Sequence, residues 1–562
     1  MKRTCALAAA CSLLLVAPAV AEDVDLLVIN RIKAEAFHNS KVMDYVFMLT
    51  DLNGPRLSGS PGHHRAAETA AQAMRDIGIR DASVEHWGKF GRSWSYANVS
   101  VRMLSPTETP LTGVPMAWSG GTDGPVRGDV VSAPLFPDPD HPDLGDLEKI
   151  AQRIVEYQQE YGGKLRGKIV MVDPPRKFSL PTNLSAKRFD GTELDELSVA
   201  IAPGPYEPIS WPFWRDPDDP EESSRQWRAT PVEIKSEYWE RQLAVMSRFY
   251  QFLADEGIAA ALTVDSRGDG GAIFSDSYGS WHPDTPIPPP MLTLVPEQYN
   301  RIDRLLARNV VVELEVNVDA TFHAENVDGR NVIANISGGR KRNEIVMLGG
   351  HLDSWHAATG ASDNASGCAI VMEAMRILTA LDLKMDRTVR MALWDGEEQN
   401  YYGSRAYVKI NFADPVSMQL KPDHARLSAY YNVDNGSGKI RGVYLQSNDM
   451  ARPIFAAWFA PFADQGVTHI TIRDTFGTDH LMFDAVGLPG FQFIQDDLEY
   501  GSRTHHSDLD TVDHLQPGDL MQAAAVLAAV VYHTANRDEL MPRKPLPQPL
   551  PDKQPVPKIL KY

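Results

Sequence analysis

The 562-residue sequence has little cysteine, with only Cys5, Cys11 and Cys368. The first two lie in an N-terminal segment that we expect to be removed, so one cysteine remains in the mature chain. A single cysteine cannot form an internal disulfide. It also excludes cysteine-rich zinc sites, so any bound metal must be held by His, Asp and Glu side chains.

The sequence also lacks an excess of positive charge and, beyond its N-terminus, any long apolar run. It has 55 Lys and Arg against 74 Asp and Glu, a net charge of -19. This balance argues against nucleic acid and anionic membrane surfaces as partners. No later stretch supplies the ~20 apolar residues that a membrane-spanning helix needs. We therefore predict no membrane span.

The N-terminus has the pattern of an export signal. Two basic residues at 2–3 precede the apolar run Cys5 to Val16, and Ala-Val-Ala at 19–21 fits the small-x-small cleavage rule. The apolar run is too short for a membrane anchor, and its continuation past Cys11 argues against lipidation. Residues 1–21 are therefore predicted to be a signal peptide. The mature protein is predicted to be exported, to the periplasm or the extracellular space.

Composition divides the rest of the chain into four segments, and the length allows about three domains. The segment 109–305 is rich in Gly, Pro and short β-type runs, and we predict a separate, mainly β inserted domain there, with an irregular excursion at 174–250 and a helical stretch at about 233–256. Residues 22–108 and 306–541 are predicted to form the two parts of one main domain. The tail 542–562 holds seven prolines, which predicts a segment without a core of its own that is either extended or laid along the surface.

After about residue 309, strand and helix patterns alternate. Apolar residues repeat at three and four positions between Cys368 and Leu378, which predicts a helix. Short apolar runs predict the strands 332–336, 345–348, 389–394, 430–433 and 491–494. Runs of this kind are typical of an α/β fold, with a mostly parallel mixed sheet flanked by helices on both faces.

Metal-binding side chains follow these predicted strands in succession. In open α/β sheets, ligands bind beyond the carboxyl ends of the strands. Any one strand-end Asp is usually a turn or cap residue, and a lone His is more often structural. Here five strand-end or loop positions carry such groups in order: His351, Asp363, Glu397–Glu398, Asp434 and His506. Clustered carboxylates are costly without a cation, so the series predicts a metal site.

The motifs around these residues resemble those of a known family. They are His-x-Asp at 351–353, Gly-Ala-x-Asp-Asn at 360–364, Gly-Glu-Glu at 396–398, Asp-Asn-Gly at 434–436 and His-Ser-x-x-Asp-Thr at 506–511. This series resembles the co-catalytic zinc exopeptidases, the family that includes bacterial leucyl aminopeptidases. The likeness is closest to the plasma glutamate carboxypeptidase (carboxypeptidase Q) branch, because Gly-Pro-Arg-Leu-Ser-Gly-Ser at 54–60 resembles that branch. The segment 109–305 resembles a protease-associated domain, which implies a lid over the pocket.

The resemblance implies two zinc ions and a role for each residue. Asp363 would bridge the two ions. His351 and Asp434 would complete one site, and Glu398 and His506 the other. Glu397 would be the general base. Zinc accepts His and carboxylate ligands and leaves room for a water, which agrees with this assignment.

Several nearby residues complete the prediction. Asp353 is expected to orient the imidazole of His351. Asp479, His480 and Tyr500 are expected beside the site or on its substrate side. His505 is adjacent to His506 and is the alternative ligand, although the Ser-x-x-Asp-Thr continuation favours His506.

The predicted activity is zinc-dependent hydrolysis of dipeptides or short unblocked peptides by an exopeptidase. The resemblance also implies a homodimer. Two alternatives use the same fold: a glutaminyl-cyclase-like acyltransferase with one zinc, and an inactive binding protein of the transferrin-receptor kind. The sequence leaves open whether the substrate needs a free N-terminus or a free C-terminus.

Overall fold

A computed structural model describes residues 22–138, 146–179, 185–200, 231–277 and 279–550. The predicted signal peptide, part of the predicted excursion at 174–250 and the end of the proline-rich tail lie outside these ranges. In the described ranges, no helix has the length and apolarity that crossing a membrane requires.

Some of the helices begin at a side chain that caps their first turn. The side chain of Asp25 accepts a hydrogen bond from the Val28 amide at the start of α1, and Ser60 does the same for His63 at the start of α3. The helices of the described ranges are α1 (Leu26–His38), α2 (Val42–Leu49), α3 (Pro61–Asp76), α4 (Leu147–Tyr161), α5 (Gly191–Ser198), α6 (Val232–Glu256), α7 (Pro296–Leu306), α8 (Ser366–Ala380), α9 (Tyr402–Asn411), α10 (Arg452–Phe459), α11 (His480–Asp484) and α12 (Pro517–Asn536).

The strands join in one continuous hydrogen-bonded arrangement. They are β1 (Ser83–Ser105), β2 (Thr109–Leu111), β3 (Gly113–Pro115), β4 (Val126–Ser132), β5 (Ile169–Met171), β6 (Ala260–Thr263), β7 (Met291–Leu294), β8 (Glu313–Ile336), β9 (Lys341–His351), β10 (Arg387–Trp394), β11 (Leu427–Asn432), β12 (Ile440–Tyr444), β13 (His469–Thr471) and β14 (Gly490–Gln495). The order is β13-β12-β14-β11-β9-β10-β8-β4-β5-β6-β7-β3, with β1 beside β8. The centre, β14-β11-β9-β10, is parallel throughout.

Helices cover both faces of the central strands. Val346 and Leu348 of β9 pack with α8 and α12 on one face, whereas Ile345 and Met347 pack with α9 and α11 on the other. Successive side chains of a strand point to opposite faces, so an uninterrupted apolar run is buried on both sides. The predicted α/β class, with a mostly parallel sheet between helices, is confirmed.

The segment 109–305 contains more helix than expected. Its strands have three to seven residues, whereas α4 has 15 and α6 has 25. Residues of α4 and α6 pack together in one apolar cluster. The helical stretch expected at about 233–256 corresponds to α6. The expectation of a mainly β insert is corrected for α4, which carries many polar residues, while the apolar β runs stand out in the sequence. The predicted domain boundaries stay predictions.

Two long strands connect this segment to the central sheet. β8 pairs with β1 along most of its 24 residues. The first residues of β8 pair with β4, and its last residues pair with β10. The start of the proline-rich tail lies along the protein: Lys544 forms an ion pair with Asp484 at 2.6 Å, and the Leu550 amide donates to the carbonyl of Val416.

Candidate metal centre

The predicted site residues lie where the central strands end. His351 is the last residue of β9 and pairs in register with Trp394, the last residue of β10. Glu397 and Glu398 follow β10, and Asp434 follows β11. Parallel neighbours end at the same edge of the sheet, so these side chains meet there.

Asp363 lies between two histidines. It is in the segment Ala361–Ala365, where its own backbone dihedrals are not helical, and this segment leads into α8. Its Oδ1 is 3.2 Å from Nε2 of His351, and its Oδ2 is 3.5 Å from Nε2 of His506. Nε2 of His351 is also 3.1 Å from Oδ1 of Asp434, and Nε2 of His506 is 3.1 Å from Oε2 of Glu398. The two oxygens of one carboxylate thus face two separate His–carboxylate pairs.

His505 lies beside this arrangement. Its Nε2 is 3.8 Å from Oδ2 of Asp363, and its ring centroid is 3.9 Å from that of His506. Its side chain is 37% exposed, against 19% for His506. Because His506 also approaches Glu398, the geometry favours His506 as the ligand, as the motif does.

The donor set fits cations. Oδ2 of Asp363 and Oε1 of Glu398 are buried and have no hydrogen-bond partner in the part of the chain that the structure describes. Buried carboxylate oxygens without partners are costly. The remaining donors are imidazole nitrogens and carboxylate oxygens, which suit zinc.

Burial and like charge shift the protonation of the cluster. Burial, reinforced by Asp363, raises the pKa of Glu398 to about 7. Burial also raises the pKa of Asp434, and it raises that of Glu397 well above its usual value. Although burial opposes it, the nearby carboxylates raise the pKa of His351 well above that of free imidazole. Without a cation, protonation of these groups reduces the repulsion among the carboxylates.

Although burial opposes it, Glu398 and Asp276 also raise the pKa of His506 well above that of free imidazole. The metal-free protein is therefore expected to lose stability as the pH rises beyond 6.5, where histidines with lowered pKa values, such as His63 and His505, are neutral in both the folded and the unfolded state. The raised pKa values of Glu397, Glu398 and Asp434, and of His351 and His506, mean that the folded state binds more protons than the unfolded state in this range. Stability then falls with pH, by linkage. Thermal unfolding of chelated protein at a series of pH values measures the slope. Zinc should flatten it, because cations replace the protons; a stability that rises with pH without metal would contradict this account.

Asp353 makes contacts that differ from the expected one. The backbone carbonyl of Asp353 is 3.0 Å from Nδ1 of His351, while its carboxylate is 3.7 Å away. That carboxylate instead accepts hydrogen bonds from the amides of Glu397 and Glu398, both at 3.2 Å, and from the Ser58 hydroxyl. The Asp353 side chain thus holds the turn that carries the Glu-Glu pair, and the imidazole is oriented by the backbone.

Of the other three predicted neighbours, Tyr500 lines the cavity, whereas Asp479 and His480 are fully buried. Tyr500 lines the cavity at the site, with its ring 4.8 Å from that of His505. Asp479 is fully buried, where its carboxylate accepts from the Ser404 hydroxyl and burial raises its pKa to about 8. His480 is fully buried at the start of α11, and burial lowers its pKa to about 3. The geometry favours a substrate-side position for Tyr500 alone among these three.

Sequence reasoning missed two supporting residues. The Asp510 carboxylate accepts hydrogen bonds from the amides of Ser362 and Asp363, at 2.6 and 3.1 Å. The buried Arg56 guanidinium donates to four carbonyls, those of Leu49, Leu352, Thr359 and Gly360. Both residues lie in the motifs at 54–60 and 506–511, which were the available signal.

The centre opens into a cavity of about 920 Å³. One part of its wall holds the clustered carboxylates and histidines. Another part comes from the segment 109–305, with apolar side chains such as Met116, Phe136 and Phe249 and with Asp276. The cavity gives the centre room for a small organic molecule such as a short peptide.

Comparison with known proteins finds a family match over part of the chain. The sequence model of Peptidase family M28 matches residues 331–531. Carboxypeptidase Q from Rattus norvegicus is 30% identical over 257 residues, 46% of this chain and 52% of the relative; the protein from Homo sapiens is 27% identical over 273 residues, 48% and 55% of the two chains. The chain therefore spans about half the length of these curated relatives.

Solved structures agree on the fold. A Peptidase M28 precursor from Shewanella amazonensis SB2B has a TM-score of 0.62 at 23% identity, covering 93% of this chain and 98% of that one. An aminopeptidase from Aneurinibacillus sp. strain AM-1 has a TM-score of 0.51 at 17% identity, covering 93% and 100%. Residues 331–531 thus match peptidase family M28, and the predicted resemblance to zinc exopeptidases is confirmed for this part of the chain.

Proposed function

We propose that this protein is a zinc-dependent exopeptidase that hydrolyses the peptide bond of dipeptides or short unblocked peptides. One observation carries the proposal: the Asp363 carboxylate lies between the pair His351–Asp434 and the pair His506–Glu398. The similarity to proteins named carboxypeptidase Q supports it.

In this proposal the chain holds two zinc ions. His351 and Asp434 would hold one, Glu398 and His506 would hold the other, and Asp363 would serve both. When bound, the ions supply Lewis acidity toward the substrate carbonyl and lower the pKa of a water.

In this proposal Glu397 is the general base, which transfers a proton from the water to the leaving nitrogen. It lines the cavity beside the proposed ligands, and Asp353 fixes its backbone amide. Its carboxylate accepts a proton as the water oxygen adds to the carbonyl carbon. The same proton then passes to the nitrogen as the C–N bond breaks, so the amine leaves neutral.

The number of bound zinc ions distinguishes the proposed exopeptidase from the main alternative. A glutaminyl-cyclase-like acyltransferase would hold one zinc ion per chain, whereas the exopeptidase holds two. Asp434 and Glu398 each lie beside a different histidine, which favours two zinc ions. Export after cleavage of residues 1–21 and a homodimer remain part of the proposal, on the sequence pattern and the resemblance respectively.

The test is a panel of dipeptides, N-blocked dipeptides, C-amidated dipeptides and aminoacyl-anilides, each assayed with and without a chelator. Unblocked dipeptides should be cleaved, chelation should abolish cleavage, and added zinc should restore it. Loss of cleavage on blocking one terminus identifies the end that the enzyme recognises. Hydrolysis that persists after complete removal of metal would refute the proposal.

A further inference from the structure

The ring of His506 has a second carboxylate on its other side. Nδ1 of His506 is 3.0 Å from Oδ1 of Asp276, while Nε2 faces Glu398 and Asp363. Asp276 lies between β6 and β7, in the segment 109–305, which is 230 residues earlier in the chain. An imidazole that donates Nδ1–H to a carboxylate keeps the lone pair of Nε2 for a metal.

The same segment also fixes the backbone of His506. The Ser275 amide donates to the His506 carbonyl at 3.0 Å, and the Asp508 amide donates to the Ile273 carbonyl at 2.9 Å. His506 has a φ of 61°, a left-handed conformation that is unfavourable for a residue other than glycine. Such a conformation persists where its surroundings hold it in place. Here the paired segment around Ser275 does so.

Asp276 is itself held toward the histidine. Its Oδ2 is 3.5 Å from Nη2 of Arg267, and its carbonyl accepts a hydrogen bond from the Ala117 amide. The guanidinium of Arg267 lies over the Phe274 ring, 4.6 Å from its centroid. These contacts all come from the segment 109–305, so that segment holds the Asp276 carboxylate toward His506.

We propose that Asp276 is a positioning residue for His506. The segment 109–305 then completes one metal subsite as well as forming part of the cavity wall. This inference rests on the proposed two-zinc site, since it assigns Asp276 to the orientation of one ligand of that site.

The test compares Asp276→Ala and Asp276→Asn with wild type in full-length protein. Zinc stoichiometry and affinity are measured by competition with a chromophoric chelator. In Asp276→Ala, one of the two zinc ions should bind about 10–100-fold more weakly, and the other should keep its wild-type affinity. Asp276→Asn should lose less, because its amide oxygen still accepts the Nδ1 hydrogen.

Asp129→Asn is the matched control. Asp129 lies in the same segment and pairs with Lys168 at 2.8 Å, remote in sequence from the histidine loop. This variant should keep both zinc affinities. The metal-free forms of both Asp276 variants should melt close to wild type, which separates a change in metal binding from a change in folding.

Two results would overturn the inference: wild-type affinity for both ions in Asp276→Ala, or an equal loss at both sites. Wild-type protein that binds fewer than two zinc ions would refute the proposed function, and this inference with it. Two ions bound by wild type with no change in Asp276→Ala would refute only the inference.

Discussion

Glu397→Gln is expected to lower kcat by about 10²–10⁴-fold, the contribution of a positioned general base, with KM near wild type. The amide cannot accept the proton of the water, although its size and its place in the cavity are unchanged. Zinc content should stay at the wild-type value, because Glu397 is not assigned as a ligand. Steady-state kinetics on an unblocked dipeptide and zinc analysis of the same preparation measure both effects.

The adjacent carboxylate provides the matched control. Glu398→Gln makes the same chemical change one residue later, at the residue whose Oε2 is 3.1 Å from Nε2 of His506. It should lower the affinity for one zinc ion and lower activity because that ion is lost. Excess zinc should therefore partly restore turnover. Zinc should not rescue Glu397→Gln. The opposite pattern, zinc loss in Glu397→Gln and none in Glu398→Gln, would show that base and ligand are exchanged.

The central sheet and most of the proposed ligands could be predicted from the sequence because each depends on local pattern. The runs 345–348 and 389–394 are apolar at successive positions, which marks strands buried on both faces. A parallel arrangement then brings the residues after each strand to one edge. The family prediction is confirmed, since the M28 match covers residues 331–531.

The remaining features depend on contacts between distant parts of the chain. Asp276 and His506 are 230 residues apart, and no local pattern links a loop carboxylate to one histidine. The full length of β8 was missed because much of its middle is exposed and polar, and its pairing with β1 stabilises it there. Asp353 is far in sequence from Glu397 and Glu398, and only the fold brings its carboxylate to their amides.

Asp363→Asn is expected to remove both zinc ions and to lower activity by more than about 10³-fold, because the two-metal site supplies several kcal/mol of transition-state stabilisation. Asp363 is the only one of the five proposed ligands assigned to both ions, through Oδ1 toward His351 and Oδ2 toward His506. A neutral amide offers one oxygen of weaker donor strength, and it cannot balance the charge of two cations. Zinc analysis and dipeptide assays test the two parts separately.

Asp434→Asn distinguishes a bridging ligand from a terminal one. Asp434 approaches His351 at 3.1 Å and is assigned to one ion only, so this variant should lose one zinc ion and keep the other. Circular dichroism of both metal-free variants should match that of metal-free wild type. If Asp363→Asn kept one zinc ion at wild-type affinity, Asp363 would serve a single site, and the two His–carboxylate pairs would have to act independently. Loss of both ions from Asp363→Asn and of one from Asp434→Asn is expected only if one carboxylate joins the two halves of the centre.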